Sequence, residues 1–206
     1  MKFYSANRAP SPRRALIVMA EKGVNMDEVE VINLDLGKAE NLAPDYRKKN
    51  PMGRVPMLEL DDGTCIAENN AIARYFEETI PEPPLLGTDA KDKAIVEMWA
   101  TRMEMNFFLP VGMAFRNISG FFKDRETPVK EWGEECLKNA QKMYGFLDKH
   151  LANSQYIAGD NFTVADITAL CTVDFSKVIK LGIADDQKNL QRWYDAVSSR
   201  PSAKAS

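Results

Sequence analysis

A proline at the head of a short alternating run constrains this chain more tightly than any other residue. Pro56 stands directly before Met57, Leu58, Glu59 and Leu60. Proline has no N–H to give to a ladder, so a sheet tolerates it at the first strand position or at an edge. Val55-Pro56 therefore reads as a turn leading into a strand. Asp61, Asp62 and Gly63 follow as a tight reversal of the Asp-Gly kind, and Thr64, Cys65 and Ile66 make a short return strand. Together they predict a β-hairpin. Glu68, Asn69 and Asn70 come next, and Ile72, Ala73, Tyr75 and Phe76 then fall at the spacing of an amphipathic helix. The polar trio is thus expected at a helix N-terminus.

Such an arrangement suits an extended, peptide-like ligand that carries carboxylates. With Val55-Pro56 cis, the valine N–H and C=O turn outward and pair with a ligand in antiparallel fashion. Orphan N–H groups near Asn69 offer donors and a favourable dipole to a carboxylate, and Glu68 accepts from an ammonium. Arg54, beside the turn, takes a second carboxylate. The same spacing also fits a plain hairpin followed by a capped helix, because Asp-Gly turns and polar helix starts are common.

The chain of 206 residues, 45% of them hydrophobic, is long enough to bury a proper core in two small domains. A net charge of −3 with no long basic run argues against nucleic acid as a partner. No apolar signal region follows Met1, and no segment approaches the roughly 20 apolar residues that span a bilayer, so a soluble, cytoplasmic protein with no membrane partner is expected. Cys65, Cys136 and Cys171 lie far apart without a C-x-x-C pair, and His150 is the single histidine. Neither structural zinc nor a dithiol centre fits that pattern, and no metal site is expected.

Taken in order, Lys2 to Ser5 reads as a strand and Arg13 to Lys22 as a helix stopped by Gly23. Met26 to Asn33 alternates Val29 and Val31 with acids as a half-buried strand does. Asn41 to Lys49 makes a short helix with Pro44 in its first turn. With the hairpin and its helix this gives β-α-β-α-β-β-α, the thioredoxin-like order. Pro81, Pro83, Pro84 and Gly87 break the pattern. The division expected is an α/β domain over residues 1–80, a linker over 81–88 and an all-helical domain over 89–206. In the second domain, Asp89 to about Asn117 is helical with an interruption near Pro110 and Gly112, followed by Pro128 to Leu151 and Asp186 to Ser199. Thr163 with Asp166 at N3 forms a capping box at the start of a buried helix.

Gly53-Arg54-Val55-Pro56 followed by Ala67-Glu68-Asn69 resembles the glutathione-binding signature of the soluble glutathione S-transferases. The family pattern is commonly Gly-Lys-Val-Pro and Glu-Ser. Here arginine keeps the charge and adds a fork suited to a carboxylate, and asparagine still donates and accepts. The Gly159-Asp160 turn and capping box resemble the family's C-terminal domain, so the likeness covers nearly the whole chain. It implies glutathione as co-substrate rather than cofactor, held by Arg54, Val55, Pro56, Glu68 and Asn69. It also implies a detoxifying conjugation to a small apolar electrophile and a homodimer.

Conjugation needs glutathione as thiolate, whereas a free thiol has a pKa near ~8.5. Family members usually stabilise the anion with a tyrosine, serine or cysteine near the end of the first strand or the start of the first helix. When Pro12 and Arg14 are laid on the Ser-x-Pro-x-Arg pattern of the serine-type classes, Pro10 falls on the serine and Ser11 comes one residue later. Ser11 is the candidate catalytic residue. Ser5 or Asn7 is a second possibility, and a third is a water held by the C-terminal domain near Arg102 or Asn117. The Trp99 to Glu104 and Phe115 to Asn117 stretches resemble a subgroup of that last kind. Met103, Phe107, Phe108, Met113, Phe115, Phe121 and Phe122 are candidates to line an apolar pocket, although such a stripe usually belongs to a core. A glutathione-fold binding module without conjugation is the competing reading, favoured by Pro10.

Overall fold

In the computed structural model, which describes residues 1–205, the run behind Pro56 becomes an internal strand. β1 (Lys2–Ser5), β2 (Glu30–Asn33), β3 (Met57–Glu59) and β4 (Cys65–Ala67) form one sheet in the order β2-β1-β3-β4. β1 and β2 are parallel, and β3 is antiparallel to both of its neighbours. Alternation sends the cross-strand pair Phe3 and Leu58 to one face and Tyr4 and Met57 to the other. On the second face Tyr46, from α2 (Pro44–Lys49), packs with Tyr4 and Met57, and Ile32, Leu34, Val55, Cys65 and Ala67 surround them. Helices α1 (Pro10–Glu21) and α3 (Asn69–Thr79) pack together and bury Ile17, Ile72 and Phe76.

Two details of α1 and β2 differ from the sequence pattern. Helix α1 begins at Pro10, not Arg13, because Pro10 and Pro12 occupy first-turn positions whose N–H groups need no intrahelical acceptor. The alternation around β2 is out of step with expectation. Met26–Glu28 is a 3-10 turn, Val31 is exposed, and Ile32 and Leu34 face the core. A strand paired on one side only, at the sheet edge, has less to bury.

The chain divides into two compact units, Met1–Pro84 with the segment from Pro201, and Leu85–Arg200. Leu85 and Leu86, expected in the linker, are buried and belong to the second unit. The 3-10 turn Pro201–Lys204, expected with the helical domain, lies with the first. Arg13 Nη2 donates to the Ala203 carbonyl at 2.8 Å, and the Ser202 hydroxyl donates to Glu21. At the other end of α1, Lys22 is buried and its ammonium reaches Glu77 at 2.6 Å and the carbonyls of Pro81 and Pro83 at 3.1 and 2.6 Å. Such a pair tolerates burial only because every donor has an acceptor.

The second unit is helical. Asp89 caps α4 (Ala90–Met103) by accepting from Asp92 N–H. No break occurs at Pro110. Instead Glu104–Phe108 forms a π turn, in which Leu109 N–H reaches back to the Glu104 carbonyl, and α5 (Leu109–Ser119) continues from it. The π turn accommodates a proline that offers no N–H to the preceding turn. Helix α6 (Lys130–Leu151) lies close to α5, since a Cβ on Gly133 would come within 2.9 Å of the Asn117 and Ile118 side chains. Phe107 and Tyr144 meet edge to face at 5.2 Å in the core.

Helix α7 (Val164–Ser176) starts with the expected capping box of Thr163 and Asp166. Its carboxylate does more than close the box. Asp166 is fully buried and accepts from the N–H groups of Ile157 and Thr163, each at 3.0 Å. It also accepts from the Thr163 hydroxyl at 3.3 Å and from the Trp193 indole, on α8 (Lys188–Ser198), at 2.8 Å. Burial pushes its pKa up to about 6, and the donors pull against that rise. Because the folded value lies above the unfolded one, the protonated form contributes stability at low pH that is lost as pH rises through about 6. Relative to Asp166→Asn, which does not titrate, the parent's unfolding free energy is expected to fall by about 3 kcal/mol between about pH 3 and about pH 7 and then to level off. Urea unfolding across pH checks this, and a constant difference would contradict it.

Candidate functional site

Three segments of the first unit converge through strand direction alone. Met57 stands opposite both Tyr4 and Ala67, so the C-terminal ends of β1 and β4 and the N-terminal end of β3 share one edge of the sheet. The start of α1, the turn carrying Val55-Pro56 and the start of α3 therefore lie at that edge. Ser11, Arg54, Val55, Pro56, Glu68 and Asn69 are all on these segments.

The turn is cis at Val55-Pro56. Gly53 enters it at φ +59°, and a Cβ there would come within 2.9 Å of Leu42 Cδ2 and 3.0 Å of the Asn41 carbonyl, so the position requires glycine. Arg54 is exposed and its guanidinium has no partner among the described residues. Val55 packs its side chain against the Tyr4–Tyr46–Met57 cluster, while its N–H and C=O make no hydrogen bond among the described residues. One strand-like peptide edge is left unpaired, the feature that β-augmentation uses.

At the start of α3, Glu68 occupies the N-cap at φ 71°, a left-handed conformation that a non-glycine residue adopts at a cost of about 1–3 kcal/mol. No side chain caps this helix, so its first N–H groups keep their capacity to bind an anion. Glu68 is exposed, and the Asn69 Oδ1 atom is buried without a hydrogen-bond partner. The edge thus presents donors and positive potential beside one carboxylate acceptor, a pattern complementary to an amino-acid terminus.

Helix α1 opens without a side-chain cap. Pro10 and Pro12 remove two first-turn donors and leave the Ser11 N–H between them. The half-buried Ser11 hydroxyl has no partner among the described residues. Ser5 is buried at the end of β1, and Asn7 is exposed in the loop. In the second unit the Asn117 amide is committed, donating to the Met113 carbonyl at 2.9 Å and accepting from Val129 N–H at 2.8 Å. Arg102 lies over the Trp99 ring at 4.7 Å, and His150 lies tilted against the same ring with centroids 4.2 Å apart. The apolar candidates separate clearly. Met103 and Phe107 are fully buried core, whereas Phe121 is exposed and joins Phe115 and Phe122 in a cluster of rings.

The sequence pattern did not single out the side chains behind the turn. Asn41 Nδ2 donates to the Gly53 carbonyl at 2.6 Å, and Tyr46 and Asn50 both donate to that of Arg54 at 2.5 and 2.8 Å. The four-residue spacing of Tyr46, on a short helix just before the turn, and Asn50, its C-cap, was the available signal. Nearby, Lys49 reaches Glu59 at 2.6 Å and the Tyr4 hydroxyl at 2.9 Å. The bond to Glu59 raises the Lys49 pKa, and the same bond lowers that of Glu59. Tyr4 is thereby occupied as a core and anchoring residue. Burial raises the Cys65 thiol above its usual range, which makes it a poor nucleophile. Among the described residues no group of His, Cys, Asp and Glu is arranged to hold a metal ion, and no helix is long and apolar enough to cross a membrane.

An α/β unit with a cis-proline turn facing an uncapped helix, followed by a helical unit, defines a class that comparison with known proteins narrows further. The glutathione S-transferase N-terminal domain family matches residues 1–78 and the C-terminal domain family residues 98–201. Glutathione S-transferase 2 of Saccharomyces cerevisiae is 34% identical over 99% of this chain and 88% of its own length. Among solved structures, a glutathione S-transferase domain-containing protein of Marinobacter aquaeolei VT8 superposes with a TM-score of 0.93 at 38% identity, covering 98% of this chain and 99% of that one. Gtt2 of Saccharomyces cerevisiae gives 0.91 at 32% identity over 99% of each chain. The chain belongs to the glutathione S-transferase family.

Proposed function

We propose that this protein is a glutathione transferase that adds the glutathione thiolate to small apolar electrophiles. The unpaired Val55 backbone, set on the same sheet edge as the uncapped start of α3, is the observation that carries this reading. The γ-glutamyl carboxylate takes the first N–H groups of α3 with the Asn69 side chain, and the α-ammonium pairs with Glu68. The cysteinyl backbone runs antiparallel to Val55, beside Pro56, and Arg54 receives the glycine carboxylate. The sulfur then lies toward the start of α1, where Ser11 donates to it. The thiolate attacks the electrophile to form a C–S bond. With an aryl halide the halide leaves, and the thiol proton has already passed to solvent.

A hydrogen bond to a charged acceptor is worth about 1.5–3 kcal/mol. Replacing Glu68 by alanine is therefore expected to raise the glutathione KM by about tenfold or more, with little change in the KM for the electrophile. Steady-state kinetics with chlorodinitrobenzene measure both constants, and an unmoved glutathione KM would reject the assignment.

Ser11 sits between two prolines that stiffen the backbone, at a helix start whose dipole favours an anion. Its hydroxyl is expected to lower the pKa of bound glutathione by about one to two units. Thiolate absorbance against pH, in the parent and in Ser11→Ala, reads that midpoint directly. If the midpoint does not move, Ser11 is only a turn residue.

The family likeness also supports a homodimer, to which the exposed Met98, Met105 and Leu109 lend apolar surface. Light scattering at micromolar concentration is expected to give twice the chain mass, and a monomer mass would reject it. Pro10, on the position of the family's serine, favours one other reading, a glutathione-binding module without turnover. Retention on immobilised glutathione with no reaction towards chlorodinitrobenzene would support that alternative.

A further inference from the structure

The carbonyl of Arg54 and the N–H of Val55 belong to one trans peptide plane, in which they point in opposite directions. Whatever fixes the carbonyl also aims the N–H. Two donors converge on that oxygen, the Tyr46 hydroxyl from α2 at 2.5 Å and Nδ2 of Asn50, the C-cap of α2, at 2.8 Å. Both side chains are buried, at 6% and 4% exposure. A carbonyl oxygen has two lone pairs, so the pair of donors satisfies it fully and sets the plane's rotation about the chain. Asn41 fixes the preceding plane in the same way, through the Gly53 carbonyl at 2.6 Å. Burial pushes the Tyr46 phenol up to about 12, so the hydroxyl keeps its proton across the working range of pH.

We infer that Tyr46 and Asn50 are positioning residues that hold the Arg54–Val55 peptide so that the Val55 N–H faces the ligand. This rests on the reading that Val55 pairs with the cysteinyl backbone of glutathione. The two side chains touch neither substrate. They remove in advance the rotational freedom that the turn would otherwise lose when the tripeptide binds. The sulfur is one residue's side chain away from that pairing, so the same plane also sets where the thiol lies.

Tyr46→Phe removes only the hydroxyl and keeps the ring packed on Tyr4 and Met57. Asn50→Asp is isosteric but cannot donate. Each is expected to raise the glutathione KM about five- to twentyfold, leaving the KM for chlorodinitrobenzene within about twofold. The double variant is expected to fall short of the product of the two changes, because both act on one oxygen. Lys49→Met serves as the comparison, since it loosens the fastening of α2 to Glu59 and Tyr4 without touching the Arg54 carbonyl. It is expected to lower Tm and leave the glutathione KM within about twofold of the parent.

Equal rises in glutathione KM for Lys49→Met and Tyr46→Phe would overturn the inference, because KM would then report only general loosening of α2. An unchanged KM in Tyr46→Phe and Asn50→Asp, alongside a raised KM in Glu68→Ala, would also overturn it while leaving the ligand site intact. If Glu68→Ala is unchanged as well, the reading of the site itself fails.

Discussion

The first unit depends on one constraint, the register that places Met57 between Tyr4 and Ala67. A strand antiparallel to both neighbours brings three connections to the same edge, and a ligand edge exists only because all three do. A slip of one residue would turn Met57 away from Tyr46 and exchange the two faces of the sheet. Gly53 and Pro56 act on this constraint locally, since the turn must pass tightly over Asn41 and Leu42 before β3 can begin.

Each unit also has a buried polar anchor whose hydrogen-bond partners are complete. Lys22 ties the end of α1 to Glu77 and to two carbonyls beyond α3, with no side-chain surface exposed. Asp166 performs the corresponding task in the second unit, joining the 156–163 turn, the start of α7 and Trp193 of α8 through one carboxylate. Both groups carry a large desolvation cost that their hydrogen bonds offset in part, and at Asp166 burial still outweighs them. Their value lies in specificity, because a shifted helix would strand several buried donors at once.

The candidate site is organised on opposite terms. Where the anchors are satisfied, the ligand edge is left incomplete: Val55 lacks a strand partner, α3 lacks a cap, and Arg54 lacks a counter-ion among the described residues. Glutathione is a peptide with two carboxylates and one ammonium, and in the binding mode proposed above each unfilled group at the edge takes one of its groups. The strained backbone of Glu68 belongs to the same pattern, since a capping geometry relaxed for the free helix would turn this carboxylate elsewhere.

Much of this was legible in the sequence, because the signals are local. Pro56 ahead of an alternating run, the Asp62-Gly63 turn, the polar start at Glu68 and the Thr163–Asp166 box each act within a few residues through φ, ψ and nearest hydrogen bonds. The resemblance to the family rests on those same local motifs. Other features had no local cause. The exposure of Val31 follows from the place of β2 at the sheet edge, and the return of Pro201–Lys204 to α1 follows from Arg13 and Glu21. Met103 and Phe107 are buried where α4 and the π turn meet the rest of the second unit, whereas Phe121 lies in the turn beyond the end of α5, and only the packing of the helices separates the two. The bonds from Tyr46 and Asn50 to the Arg54 carbonyl required the chain to double back on itself, and partners joined only by folding leave no periodicity to read. The sequence by itself determined which turns and helix starts form. The tertiary structure decided which of their polar groups are consumed internally and which are left for a ligand, because that choice depends on distances between residues far apart along the chain.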